Sequence, residues 1–324
     1  MSILSYHLSA QQKTIGELHI EKPAFKELID PSAIIEVLAE GFNWSEGPVF
    51  VKSGGFMLFS DVPENVIYKW SEKDGISEFL RPSGYTGILP YSLEPGSNGL
   101  TINLAGELVA CEHGDRRVTR MPLVGGGKFP VADRWQGKRF NSPNDVVQAT
   151  NGNYYFTDPP YGLPNRENAS TREIDLFGVY LVNKAREVKL IISELSRPNG
   201  VALSPDEKIL YVAQSDPEKA IIMAYPIKSD GTVGTGKLLY DATAMVKSGL
   251  KGLPDGLKTD NKGNIFTTGP GGVLVLTAQG ELLGRIDTGE ATANCAWGDD
   301  GSTLYITADM YFCRIKTKTI GKGF

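Results

Sequence analysis

One phrase recurs six times along the chain. It consists of a residue with a side-chain oxygen, a short apolar run, a turn rich in Gly and Asp, and a second apolar run. It reads EGPVFVKSGGFMLFSD from Glu46, NGLTINLAGELVACEH from Asn98, NDVVQATNGNYYFTD from Asn144, NGVALSPDEKILYVAQSD from Asn199, DGLKTDNKGNIFTTG from Asp255 and NCAWGDDGSTLYITAD from Asn294. Successive starts lie 52, 46, 55, 56 and 39 residues apart. A repeat of this length marks a unit that cannot bury its own faces and must stack on its neighbours. A third run follows in every unit (NVIYKW, RRVTRM, GVYLV, IIMAYPI, GVLVL, FCRIK). Most units offer a fourth (ISEFL, one near PVAD, VKLIIS, KLLYD, ELLGRI). Four short antiparallel strands in each of six units predict an all-β fold, a six-bladed β-propeller.

The last unit stops after its third strand, while a spare strand, Ile34–Ala39, precedes the first unit. That strand is expected to become the outer strand of the final blade and close the ring, which leaves only short, protected edges. The organisation is therefore an N-terminal arm over residues 1–33, with a short helix within Pro23–Asp30, and a propeller over residues 34–324. Residues 1–22 read as a peripheral arm. Two stretches interrupt the pattern: Arg81–Ser97, between units one and two, and Pro159–Leu176, inside unit three. Long loops on a rigid scaffold commonly carry function.

The six starting residues occupy equivalent positions. The first strand of a propeller blade is innermost, so Glu46, Asn98, Asn144, Asn199, Asp255 and Asn294 are expected to converge on one end of the central channel. Gly follows four of them, which lets backbones approach closely. A single Asn at such a position is explained by bonding to local backbone. Six oxygen-bearing side chains at one register, two of them carboxylates, point instead to a cation that neutralises them. Hard oxygen donors without a thiolate suit Ca²⁺ or Mg²⁺, and Ca²⁺ tolerates irregular geometry better.

Bulk properties narrow the partners. The formal net charge is −5 and basic residues are not clustered, which gives no footprint for nucleic acid or an anionic membrane. No run of apolar residues is long enough for a membrane span, and the N-terminus lacks the pattern of a signal peptide. The three cysteines, Cys111, Cys295 and Cys313, form no CxxC and read as free buried thiols in a reducing compartment, here the cytoplasm. The oligomeric state is not specified by any of these features.

Several phrases together resemble the gluconolactonase family, the group that includes senescence marker protein 30 and luciferin-regenerating enzyme. They are SEGP (Ser45–Pro48), CEHGDRRVTR (Cys111–Arg120), SPNDVV (Ser142–Val147), YFTDPPYG (Tyr155–Gly162), RPNGVALSPDE (Arg197–Glu207), LPDGL (Leu253–Leu257) and TGPGGV (Thr268–Val273). CEHG and TDPPYG point to the bacterial branch. The resemblance implies one divalent metal above the channel, held by Glu46, Asn144, Asn199 and Asp255, with Ca²⁺ preferred and Mg²⁺, Mn²⁺ or Zn²⁺ conceivable. It implies hydrolysis of a small-molecule sugar lactone, the metal polarising the carbonyl and activating water. Asp255 is the expected general base as well as a ligand. Asn98 and Asn294, the remaining ring positions, are expected to meet substrate, as are His113 and Tyr161. Arg116 and Arg117 read as blade-surface charges. Asp145 is expected to bond neighbouring backbone or to orient Asn144.

Two rival readings keep the fold. The same metal site would serve a phosphotriesterase or organophosphate hydrolase by polarising P=O. A non-catalytic propeller would bind a partner on its face, although a scaffold has no need of such a ring. No GxSxG elbow supports a Ser-His-Asp mechanism.

Overall fold

The computed structural model of the chain describes residues 13–324. Six antiparallel sheets stand around a central channel. Blade 1 is typical: Ser45–Val51 is innermost, then Phe56–Asp61, Val66–Ser71 and Gly75–Leu80 in sequence order outward. The innermost strands of neighbouring blades touch all the way round, including the last against the first.

These strands are apolar on both faces because each blade is covered on both sides. The buried side chains form six clusters, one for each seam between blades. Successive side chains on a strand point to opposite faces. Thus Leu58 joins the seam between blades 1 and 2, while Met57 and Phe59 join the seam between blades 6 and 1. In the same way Tyr211 packs toward blade 5, and Leu210 and Val212 toward blade 3. In the seam between blades 6 and 1, Phe59 and Phe312 stack with ring centroids 4.3 Å apart.

Ile35–Glu40 pairs antiparallel with Tyr311–Lys316 and completes blade 6, so the two ends of the propeller are locked in one sheet. The arm differs from the sequence expectation of a merely peripheral segment. Thr14–Ile15 adds to Ile35–Glu40, and Glu17–Ile20 pairs with Leu282–Asp287 of blade 5. Between them Gly16 has φ +66°, and a Cβ there would lie 1.9 Å from the carbonyl oxygen of Asp287. Only glycine makes this crossing, and the outer edges of two blades gain a partner strand. Residues 1–12 of the arm lie outside the described residues. A 3₁₀ turn, Pro23–Glu27, follows and buries Phe25.

The two expected interruptions are loops at one end of the channel. The first is tied down by Asn65, whose Oδ1 accepts the backbone N–H groups of Ser83, Gly84 and Tyr85 at 3.0, 2.8 and 3.1 Å. The second is pinned by Ser142, whose Oγ donates to the Pro159 carbonyl (2.6 Å) and accepts from Gly162 N–H (3.0 Å). The loops meet in an ion pair, Arg166 to Glu94 at 3.0 Å. A small hairpin, Arg134–Trp135 with Lys138–Arg139, and a helix, Thr243–Lys247, had no clear sequence signal.

Candidate active site

Each of the six starting residues lies within two residues of the beginning of its blade's first strand. In blades 1, 2, 4 and 6 the pairing register shifts at that point. A bulge of this kind bends the strand and re-aims a side chain out of the ladder. The starts are then fixed from the neighbouring blade. Ser60 Oγ donates to the Asn98 carbonyl (2.9 Å) and Thr157 Oγ1 to the Asn199 carbonyl (2.6 Å). Ser215 Oγ donates to the Pro254 carbonyl (2.5 Å) and Thr268 Oγ1 to the Ala293 carbonyl (2.9 Å). The glycine after an anchor abuts the next anchor. A Cβ at Gly200 would sit 2.1 Å from the Asp255 carbonyl oxygen, and one at Gly256 would sit 2.0 Å from the Asn294 side chain. In blade 3 Asp145 replaces that glycine and bonds backbone on both sides. Its Oδ1 accepts Val146 N–H (2.9 Å) and its Oδ2 accepts Val201 N–H of blade 4 (3.1 Å).

Above the ring lies a cavity of about 490 Å³. Five of the six anchors line it: Glu46, Asn98, Asn144, Asn199 and Asp255. Tyr161 also lines it, together with Glu94, Arg166, Arg197, Trp44 and Leu253. Asn294 does not line the cavity. It is buried beside the ring, its Nδ2 donating to Glu46 Oε2 at 3.4 Å and its Oδ1 accepting Cys295 N–H at 2.9 Å. His113 is also fully buried outside the cavity lining. Its Nδ1 is 3.0 Å from the Glu94 carbonyl oxygen, and burial pushes its pKa down to about 4. The ring is therefore neutral, with Nδ1–H donating to that carbonyl. His113 thus braces the first loop, and it packs against Gly162 of the second.

The electrostatics of the floor are strained. Burial, and then the charges of Asp145 and Glu94, push the Glu46 carboxyl up to about 7, against the pull of Gly47 N–H and Asn294. Asp255 is raised well above the ordinary carboxylate range by burial and by Glu46 and Asp145. Asp145 and Glu94 are raised too, chiefly by burial. Oδ1 of Asn98, Asn199 and Asp255 is buried without a hydrogen-bond partner among the described residues. For Asn199 the orientation is set by Nδ2 donating to Ser215 Oγ at 2.8 Å, which leaves its oxygen for the cavity. Unpartnered buried oxygens beside mutually repelling carboxylates are what a hard cation satisfies. Among the described residues no group of three His, Cys, Asp or Glu forms a metal cluster, and three of the five anchors that line the cavity are carboxamides.

The family model described as SMP-30/Gluconolactonase/LRE-like region matches residues 44–309, which takes in the floor and both loops. The chain belongs to that family. It is 41% identical to the gluconolactonase of Zymomonas mobilis over 95% of this chain and 88% of that protein. The solved structure of a gluconolactonase from Xanthomonas campestris superposes with a TM-score of 0.81 at 27% identity, covering 96% of this chain and 99% of that one. A calcium-binding regucalcin from Agrobacterium tumefaciens superposes with a TM-score of 0.67, covering 89% of this chain and 94% of that one. Its 19% identity speaks to the fold alone.

In this family member, sequence reasoning missed the three charged residues of the cavity wall above the ring. Glu94 and Arg166 sit in the two loops already singled out by their interruption of the repeat. Arg197 stands two positions before Asn199 and pairs with Glu167 at 2.8 Å. The reading of Arg116 as a surface charge is corrected. Its φ of 58° turns it inward from a turn, where Nε donates to the Phe140 carbonyl (2.6 Å) and Nη1 to the Thr171 carbonyl (3.0 Å). Arg117 stays partly exposed and pairs with Glu112 and Asp115. Asp158, at the start of the second loop, is fully buried and accepts N–H bonds from Asn141 (2.9 Å) and Ser142 (2.8 Å).

Proposed function

We propose that this protein hydrolyses a sugar lactone in the cavity above the ring, with one divalent cation, preferably Ca²⁺, held by Glu46, Asn144, Asn199 and Asp255. The observation that carries this reading is the floor itself: the Glu46 and Asp255 carboxyls are both pushed above the ordinary carboxylate range, the second partly by the charge of the first, beside carboxamide oxygens that lack partners among the described residues. The lactone-hydrolysing relatives support the substrate class. When bound, such a cation supplies Lewis-acid polarisation of the lactone carbonyl.

The chain's own residues do the rest. Asp255, which lines the cavity and whose Oδ1 has no hydrogen-bond partner among the described residues, accepts the proton of the attacking water. A carbon–oxygen bond forms to that water, the ring carbon–oxygen bond breaks, and the proton ends on the departing ring oxygen. Asn98 Oδ1 and the Tyr161 hydroxyl, both unpartnered, receive the hydroxyls of a polyol substrate. The loop pair joined by Arg166 and Glu94 limits bulk water at the cavity mouth. The three free, buried thiols support a cytoplasmic setting.

The test is acid release from glucono-δ-lactone by metal-stripped protein, with Ca²⁺, Mg²⁺, Mn²⁺ or Zn²⁺ added back, alongside Asp255→Ala. Turnover restored by one ion and absent in the variant is the expected result. Turnover that is indifferent to every ion, or that survives in the variant, would sink the assignment.

A further inference from the structure

The first strands run from the ring at one end of the channel to turns at the other. At that far end lies a second cavity, of about 550 Å³, framed by the first strands of all six blades and by the C-terminal residues Lys322, Gly323 and Phe324. Its wall is largely apolar, with Val49, Leu100, Val146, Val201 and Ala296 contributed by five different blades. Blade 5 contributes Lys258 instead. The charged side chains on the lining are Lys52, Lys258 and Lys322, with no Asp or Glu among them. In a chain with formal net charge −5 this concentration of positive charge is a local reversal.

The three lysines are not equivalent. Lys322 Nζ is paired with Glu207 at 2.9 Å. Lys52 Nζ stands over the Phe324 ring, 3.8 Å from its centroid, and bonds the Gly323 carbonyl. Lys258 Nζ bonds only the carbonyl of its neighbour Leu257, at 3.1 Å, among the described residues. Two of its three protons are left for a ligand. The acidic charge that Lys258 meets is that of Asp145, whose two oxygens are already engaged by the N–H groups of Val146 and Val201, so the ammonium keeps donors for an anion in the cavity.

We propose that this cavity is a binding site for a small amphiphilic monocarboxylate, its carboxylate on Lys258 Nζ and its apolar body along the valine, leucine and alanine wall. The open-chain acid released by lactone hydrolysis fits poorly here, because with its carboxylate on Lys258 its hydroxyls would lie along the valine, leucine and alanine part of the wall. The site is separate from the acidic ring and does not depend on the lactonase reading.

Calorimetric titration of octanoate into the full-length protein tests it, with octylamine and gluconate as controls. One octanoate binds, neither control competes, and Lys258→Met weakens binding about ten-fold or more. Glu46→Gln, at the opposite end, leaves octanoate binding intact. Absence of binding at millimolar octanoate, equal binding by Lys258→Met, or loss of binding in Glu46→Gln would overturn the proposal. A second readout does not require the lysine variant to fold. Trp297 lines this cavity, so 8-bromooctanoate quenches wild-type fluorescence and the quenched component disappears in Trp297→Phe. Equal quenching in both proteins would place the ligand elsewhere.

Discussion

Glu46→Gln should stabilise the metal-free protein while removing its activity. In the folded chain the Glu46 carboxyl is pushed up to about 7 from an ordinary 4.5, chiefly by burial. Between those values the folded protein holds a proton that the unfolded chain has already lost. Metal-free stability therefore falls as pH rises from about 4.5 to about 7, and the contribution is gone above that window. At about 1.4 kcal/mol for each pKa unit, the cost of ionising Glu46 in place comes to about 3 kcal/mol. Gln keeps the shape without the charge, so at pH 8 it removes this cost, and at pH 4 it changes little. For a chain of this size about 3 kcal/mol corresponds to about 4 °C in Tm. Thermal unfolding in chelator, at pH 4 and pH 8, reads the difference directly. Calcium should invert the order at pH 8. At a thousand-fold excess over Kd wild type gains about 4 kcal/mol, more than the variant's lead, whereas the variant, short of one ligand charge, gains little. A Gln variant that melts no higher than wild type at pH 8 in chelator would refute the reasoning. So would a gain of the same size at pH 4, which would point to packing rather than charge.

Other residues give separable outcomes. Asp255→Asn should reduce lactone turnover at least about a hundred-fold at saturating metal, measured as initial rates of acid release. Gly200→Ala forces a Cβ against the Asp255 carbonyl oxygen, at 2.1 Å in the unrelaxed backbone. It should lower Tm and kcat together, whereas a drop in Tm alone would mean that the ring tolerates the shift. Arg166→Met breaks the ion pair with Glu94, in which the arginine is half exposed. Stability should change by less than about 1 kcal/mol while KM for a polyol lactone rises several-fold, because the cavity mouth loosens.

Most of the fold was legible because the repeat repeats its punctuation as well as its strands. Each blade needs the same turn between its first two strands, so Gly, Asp and Asn recur at one register and the sixfold count follows. The closing strand was legible by subtraction, since the last unit lacks a fourth strand. Thr14–Ile20 was not, because edge strands this short are set by which blade edge is open rather than by their own pattern. Arg116 was misread for a related reason. Alternation along a strand predicts exposure, but at φ 58° in a turn the side chain leaves that alternation. The straps that hold the ring were written in the sequence yet unread. Ser60, Thr157, Ser215 and Thr268 all stand one residue before the end of a second strand, a position that looks like ordinary β-propensity. Only the approach of the next blade turns those hydroxyls into donors for its backbone.

The composition of the ring follows from the same crowding. Four carboxyls, Glu46, Glu94, Asp145 and Asp255, already lie close enough for the charges of some to raise the pKa of others. Another carboxylate at position 144 or 199 would strengthen a cation site but would deepen the repulsion in its absence. At 199 it would also lose the N–H that Ser215 accepts. Asn supplies an oxygen donor without adding charge, and its second group fixes which way that oxygen points. The ring can therefore be assembled by folding before any cation arrives. Five carboxylates in the same space would require the ion to be present for the blades to close. The asparagines that first marked the repeat are, on this argument, what makes a site so acidic compatible with the seams that hold it.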